Sequence, residues 1–455
     1  MISNEVKKMT KKKARSWGSA SKSLLVLAAT TSLLAVAGCA APSDGEPATS
    51  GDGKASSEVT TIKVLHWEVG GAEFWNASIS AFEAANPNIK VEAEIVPFDR
   101  YPEVQGPYIA SQSGPDVMAN NAGFELFDRR SAYVEIPADV REVGDGLLTY
   151  AGTCLEFDVS QPCYGLPFSY QGNIMYYNKQ VLSEAGLDPE SPPATIEEFA
   201  VACDAITAIG KTCQAIGLTG VFPAYWNFPE VARNYLTEED MRSVLRGEMP
   251  WTDPKMRSVL EGLATITNSG WTNSSAPSIS MLPDATNIFQ SGEAGFAATI
   301  MSDAVNWKAF GETMGDENVG AMLYPVIESS APLAKKFSGI EGSVYGVTKW
   351  SKKQDASFEF IKWIGGPVHG QFWAELAGGQ PLNKSVDTSV LPDSGALMQI
   401  QEIISNPTIH VGVLLSSQEV DALARGWQQV ALGQATIDEW VAQMQKALED
   451  SPSKN

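Results

Sequence analysis

Few residues in this chain of 455 are placed for covalent chemistry. A nucleophilic serine or cysteine needs a histidine base within hydrogen-bond reach, and no G-x-S-x-G step occurs. The three histidines, His66, His369 and His410, are far apart in sequence, and nothing groups them. Gly210-Lys211-Thr212 has the end of a phosphate loop, but the first glycine of that motif falls on Ala205. Four of the five cysteines fall as local pairs, Cys154 with Cys163 and Cys203 with Cys213. Three connectivities are possible. The spacing favours local pairing, each bond closing a loop of about ten residues worth ~2.5 to 3 kcal/mol. A zinc site would want closer Cys-x-x-Cys spacing and histidines nearby, so no metal is expected. Carboxylate pairs for glycoside hydrolysis are available everywhere in so acidic a chain and carry no specificity.

The residues that do suggest a site are aromatic. Trp67, Tyr170, Tyr225, Trp226, Trp271 and Trp307 fall near expected loop ends. Flat side chains suit the apolar faces of a sugar ring, and Asp, Glu, Asn, Gln or Arg suit its hydroxyl rim. Core packing is the alternative for each of them. Trp363 and Trp440 sit within helical patterns and are assigned to packing.

Composition limits the partners. Apolar residues make up 44% and charged residues 19%, so most of the chain should bury a core. Asp plus Glu is 54 against 32 for Lys plus Arg, a net of -22. Residues 1–38 are basic, and without them 25 basic face 53 acidic side chains, a net of -28. Such a body repels a phosphate backbone, which excludes nucleic acid as a partner.

The basic beginning has its own explanation. Seven Lys and Arg precede an uncharged run from Leu24 to Gly38, the pattern of an export signal over residues 1–38. The run is shorter than the ~20 residues that span a bilayer comfortably. It ends Val36-Ala37-Gly38-Cys39, which resembles the bacterial lipobox, with Cys39 as the lipid-bearing first residue of the mature chain; an ordinary cleaved signal is the alternative. Residues 39–60 then read as a flexible tether rich in Ser, Gly, Ala and Pro, with a reach of roughly 25 Å.

These residues must be positioned by regular elements. Thr61 to His66 reads as a strand, and Phe74, Ser78, Ala81, Phe82 and Ala85 recur at helical spacing until Asn86-Pro87. Ile89, Val91, Ala93 and Ile95 alternate with charged residues, the pattern of a half-buried strand. A helix from about Tyr101 to Ser113 and a short strand at 116–119 follow. Strand, helix, strand, helix, strand implies an α/β lobe with parallel neighbours, whose ligands sit beyond the carboxyl ends of the strands. Those ends carry Trp67-Glu68 and Asn120-Asn121. Thr195-Ile196-Glu197-Glu198 caps a helix in a more helical middle region, and helices are expected from Asp355, over 417–432 and over 436–449.

Several segments together resemble the extracellular solute-binding proteins of ABC importers, in the maltose-binding-like sugar-binding group. They are Ala81-Phe82-Glu83-Ala84-Ala85-Asn86-Pro87, Ser113-Gly114-Pro115-Asp116-Val117, Tyr164-Gly165-Leu166-Pro167-Phe168, Met175-Tyr176-Tyr177-Asn178-Lys179, Phe289-Gln290-Ser291-Gly292-Glu293 and Gly378-Gly379-Gln380-Pro381-Leu382. The resemblance covers essentially the whole mature chain. It implies a two-lobed α/β fold of the periplasmic-binding-protein type, with hinge strands and a central cleft. The implied lobes are 61–173 plus about 346–390, and about 178–340 plus 391–450. A hinge is implied at Ile174 to Tyr177, with recrossings near Ser343 to Val347 and after about Pro381. Implied ligand contacts are Trp67 and Glu68, Asn120 and Asn121, Tyr170 and Gln171, Tyr225 and Trp226, Ser302 and Asp303, Glu341, Gly342 and Ser343, and Gln380. Many relatives carry glycine and tryptophan where this chain reads Ser302-Asp303-Ala304. Trp307 lies three residues on, which leaves open whether it stacks on ligand or packs beneath the loop.

The resemblance further implies a monomer that is no enzyme and needs no cofactor. It would capture a carbohydrate, most simply an oligosaccharide, and pass it to permease subunits. It would be held to the outer face of the cytoplasmic membrane, in a Gram-positive cell, by the lipid on Cys39. Three alternatives remain at this level: the same scaffold taking a polyamine, a secreted glycoside-active enzyme, and an adhesive lipoprotein without a cleft.

Overall fold

The computed structural model describes residues 59–67, 70–300, 306–391 and 394–451. The signal segment, Cys39, Glu68, Ser302 and Asp303 lie outside the described residues.

The chain opens with strand β1 (Thr60–Trp67), helix α1 (Gly71–Ala85), strand β2 (Ile89–Val96), helix α2 (Tyr101–Ser111), strand β3 (Val117–Asn120) and the short helix α3 (Phe124–Asp128). β1 pairs in parallel with both β2 and β3. The apolar stripe of α1 buries Phe74, Trp75, Ser78 and Phe82, and the helix stops where the Asn86 amide donates to the Phe82 carbonyl. β2 differs from its sequence pattern. Ile89 and Val96 are buried, but Ile95 is 43% exposed, because β2 is the edge of its sheet and alternation has no second layer to face there.

The second sheet is built from β4 (Ser169–Asn178), β5 (Thr212–Ala215), β6 (Ala294–Ile300), β7 (Val319–Met322), β8 (Phe337–Gly342) and, from a later segment, Pro407–Ile409. Helix α4 (Ile196–Ala208) starts with the expected capping box, Thr195 accepting from the Glu198 amide and Glu198 reaching back. The Cys203–Cys213 disulfide ties α4 to β5. Helix α5 (Phe222–Ala232) and helix α6 (Asn306–Met314) belong to the same half of the molecule.

Strand β9 (Val344–Val347) returns to the first sheet, antiparallel to β3, so the order there is β2-β1-β3-β9. Helix α7 (Gln354–Ile364) follows in the first half, and the chain ends with α8 (Gly395–Ile404), α9 (Ser417–Ala431) and α10 (Ile437–Glu449). α8 packs on β7, and α9 packs on α5 and α10. Trp363 donates to Ser78 and meets Phe82, while Trp440 is fully buried, so both pack as expected.

The crossing between the halves corrects one expectation. Ile174 to Tyr177 pair with β6 and β7 inside the second sheet. The chain changes sheets earlier: Leu166 bridges Tyr345 of the first sheet, and Ser169 to Gly172 pair with β8. The recrossing turns at Ser343, whose φ of 52° lies in the left-handed region that costs any non-glycine residue energy. Pro381 bridges Ser169, which lays a third segment beside the other two.

Candidate functional site

The site forms where strand ends of the first half face α5 and the segment after 410. Beyond the carboxyl ends of β1, β2 and β3 stand Trp67, Phe98 and Asn121, with Tyr101, Phe124, Glu125 and Arg129 around them. Opposite are Phe222 and Tyr225 at the start of α5, Val413 and Leu415, and Ser417, Val420 and Asp421 at the start of α9. Together they enclose a cavity of about 250 Å³.

The first wall is held rigidly. Trp67 meets Phe98 and Tyr101 edge-on at 5.3 and 5.0 Å. The Tyr101 hydroxyl donates to the Ala119 carbonyl at 2.8 Å, tying α2 to β3. A continuous polar chain runs from the core to the cavity. Tyr133 and Gln105 donate to Asn120 at 2.8 and 3.0 Å, Arg129 donates to Gln105 at 2.9 Å and to Glu125 at 2.5 Å, and Asn121 donates to Glu125 at 2.7 Å. Glu125 and Arg129 therefore both have partners inside the wall. Burial pushes the Tyr133 phenol well above its usual range.

The second wall is fixed from behind. α5 presents Phe222 and Tyr225 to the cavity, and at its other end Glu230 pairs with Arg233 at 3.0 Å, both fully buried. Arg233 also donates to the Tyr324 carbonyl at 2.6 Å, and the Tyr324 hydroxyl donates to Asn227. Burial raises the Glu230 carboxyl to about 7 despite the opposing pull of Arg233. Trp226 and His410 lie behind Tyr225, ring centroids 4.9 Å apart, and among the described residues the Trp226 indole N–H has no hydrogen-bond partner.

The halves touch around the cavity. Phe98 and Phe222 rings approach to 4.5 Å, Ser417 donates to Asp128 at 3.2 Å, and the Trp307 indole donates to the Gly378 carbonyl at 3.2 Å. Gly123 lies against Val413, where a side chain on residue 123 would collide with the Val413 backbone.

Of the residues singled out from sequence, Trp67, Asn121 and Tyr225 line this cavity. Asn120 is buried one residue too early and serves the polar chain. Trp226 is buried at 3% beneath Tyr225, and Trp307 at 4% spans to Gly378. Tyr170 packs on Phe337 with its phenol raised by burial and by Glu341. Trp271 packs on Phe199 in the second half. Gln171, Gly342, Ser343 and Gln380 gather at the crossing, where the Ser343 hydroxyl and Gln380 amide nitrogen are buried without partners among the described residues. Glu341 accepts from the Thr149 hydroxyl at 2.6 Å and the Gly152 amide at 3.1 Å. Phe98 was missed although the strand-end rule applied to β1 and β3 reaches it directly after β2. Phe222 carried an aromatic signal beside Tyr225. Val413, Leu415, Arg129 and Asp421 carried none.

The histidines are less scattered than the sequence suggests. His66 and His369 both contact Trp75, at 4.1 and 5.4 Å between ring centroids. Burial lowers His66 to about 4 and His369 to about 3, the latter helped by His66, and burial lowers His410 to about 3. All three are neutral at pH 7.

A two-lobed α/β architecture with a cavity at strand ends invites comparison with ligand-binding families. Residues 77–399 match the family of bacterial extracellular solute-binding proteins. The chain belongs to that family. An ABC transporter extracellular-binding protein of Pyrococcus horikoshii is 26% identical to this binding protein over 247 residues, 52% of this chain and 55% of that one. The chain thus spans about half the length of that curated relative. Among solved structures, one from work on xylan utilisation by Caldanaerobius polysaccharolyticus superposes with a TM-score of 0.75 at 19% identity, covering 85% of this chain and 99% of that one. A chitin oligosaccharide binding protein superposes at 0.74 with 18% identity, covering 86% and 99%. These likenesses establish a shared fold. Among the described residues no helix is long and apolar enough to cross a membrane, and the two disulfides are Cys154–Cys163 and Cys203–Cys213.

Proposed function

We propose that this binding protein is the substrate-binding component of an ABC importer and that its interlobe cavity holds a carbohydrate. The observation that carries the reading is the cavity itself: aromatic walls from Trp67, Phe98, Tyr101, Phe222 and Tyr225, with Asn121, Glu125, Arg129 and Asp421 at hand for hydroxyls. The structural relatives from work on xylan utilisation and from chitin oligosaccharide binding support the same ligand class. A ligand touching both walls favours the closed arrangement by its differential affinity for it, and the permease reads the closed shape. The protein changes no covalent bond in this scheme and acts as a transport receptor, a monomer held outside the cell by the lipid on Cys39. With the crossing placed between Leu166 and Ser169, the proposed lobes are 61 to about 168 plus about 344–390, and about 169–342 plus 391–450. Trp67, Asn121 and Tyr225 are the proposed direct contacts.

The test is a thermal-shift screen of the chain starting after Cys39, against mono- and oligosaccharides, with polyamines as controls. A ligand at 100 times its dissociation constant stabilises the fold by about 2.7 kcal/mol, a shift of at least ~2 °C. A sugar-selective shift with the sugar recovered intact is the expected result. A shift by polyamines alone overturns the ligand class, and consumption of the sugar overturns the receptor role.

A further inference from the structure

The two disulfides close loops of similar size, yet only one touches the machinery of the cavity. Cys154–Cys163 is fully buried and closes the segment that follows Gly152. The loop base is also zipped by backbone bonds, Leu155 donating to Pro162 and Tyr164 to Thr153, both at 3.0 Å. Ile136 donates to the Cys163 carbonyl at 2.9 Å, which fixes the base against the rest of the first lobe.

Gly152 is the junction. Its N–H donates to Glu341 at 3.1 Å, and its carbonyl accepts from the Gly123 N–H at 2.8 Å. Glu341 lies on β8, the strand that leads back from the second lobe to the first. Asn121, Ala122 and Phe124, which flank Gly123, line the cavity. The site has no room for a side chain at 152: a Cβ there would meet Glu341 Oε2 at 2.5 Å and the Ala122 Cβ at 3.1 Å. Inside the loop, Phe157 also packs on Phe127 of α3 at 5.5 Å, beneath the helix that carries Glu125. Cys203–Cys213, by contrast, joins α4 to β5, and no residue of either element lines the cavity.

We propose that Cys154–Cys163 is a positioning disulfide: by holding Gly152 it keeps the Asn121–Glu125 wall in register with Glu341 on the crossing strand, whereas Cys203–Cys213 is confined to the stability of its own lobe. The proposal rests on reading the cavity as the binding cleft. In a chain that works outside the cell such a bond persists, and its reduction would loosen the cleft while the second lobe stays ordered.

Native-state hydrogen exchange tests this without any ligand. In the double variant Cys154→Ser/Cys163→Ser, the Gly123 and Gly152 amides should exchange at least tenfold faster, while the Gln214 amide, which donates to the Trp271 carbonyl in the second lobe, keeps its rate. Cys203→Ser/Cys213→Ser should reverse the pattern. Should the first variant fail to fold, Cys203→Ser/Cys213→Ser keeps the Cys154–Cys163 bond alone, and reducing it should speed exchange at Gly123 and Gly152, with the rates restored on reoxidation. Unchanged rates at Gly123 and Gly152, or equal acceleration in both lobes, overturn the positioning role. Titration of the wild type with xylobiose, maltose and chitobiose is kept separate: lack of binding there counts against the sugar reading and leaves the exchange result standing. Where one of these sugars binds, loss of the first bond should weaken it about tenfold and loss of the second should not.

Discussion

The two walls of the cavity are fixed in opposite ways. In the first lobe the polar groups form one neutralised chain from Tyr133 through Asn120, Gln105, Arg129 and Glu125 to Asn121, partly open to solvent and ending at the cavity. In the second lobe a charge pair sealed from water, Glu230 with Arg233, lies at the far end of α5, while Phe222 and Tyr225 face the cavity beside Asp421. A half-exposed pair contributes little stability by itself and mainly sets geometry. A buried pair is unforgiving, since removing one partner strands the other. The first wall therefore holds its cavity-lining residues through hydrogen bonds that a mutation can soften locally, and the second wall stands or falls with its lobe.

The largest expected effect separates them directly. Arg233→Ala leaves Glu230 buried without its counter-ion and should cost about 3 to 5 kcal/mol of stability in urea denaturation; a loss below about 1 kcal/mol would show that the pair does not hold α5. On the ligand side, Trp67→Ala should weaken sugar binding by about 1 to 3 kcal/mol in calorimetry. Trp271→Ala, whose ring packs on Phe199 away from the cavity, should leave affinity unchanged, and equal losses in the two variants would dissolve the assignment of walls.

Acid sharpens the contrast further. His66 and His369 are kept neutral inside the first lobe and His410 behind the second wall, with folded values of about 4, 3 and 3. The unfolded chain binds these protons below about pH 6.5, so stability is complete above that pH and is lost as pH falls towards the folded values, at up to about 1.4 kcal/mol per pH unit for each histidine. Denaturation curves of wild type and His369→Gln at pH 7 and pH 5 should differ in slope by one such contribution; identical slopes would remove His369 from the account. The smallest effect expected is that of Tyr133→Phe, which deletes one link of the first-lobe chain and should cost about 1 kcal/mol. A neutral result would mean that Gln105 and the Met118 carbonyl suffice to hold Asn120.

Much of the scaffold was legible in the sequence because it depends on neighbours in the chain. The helical spacing of Phe74, Ser78 and Phe82, the capping box at Thr195 and the two short cysteine loops are local devices, and each sits in the structure as its spacing suggests. The site was legible only in part. The strand-end rule found Trp67 and Asn121 and had the means to find Phe98. It gave no access to Arg129, Val413, Leu415 or Asp421, which have no local pattern that marks a cavity wall.

The limit of the sequence is clearest at Tyr225 and Trp226. Adjacent on one helix, both are aromatic and both suited to a sugar face, yet Tyr225 lines the cavity and Trp226 lies beneath it against His410. Successive residues on a helix point about 100° apart, so only the placement of α5 against the rest of the lobe decides which ring faces the cavity. The same holds for Ile95, whose alternating pattern promised burial and whose edge position denied it. Composition, periodicity and caps determined the strands and helices of the first α/β unit, the acidity of the chain and the class of residue available to the cavity. Tertiary packing decided which of those residues meet across the cleft, because burial and contact depend on what stands opposite a side chain, and here the opposite wall comes from segments distant in sequence.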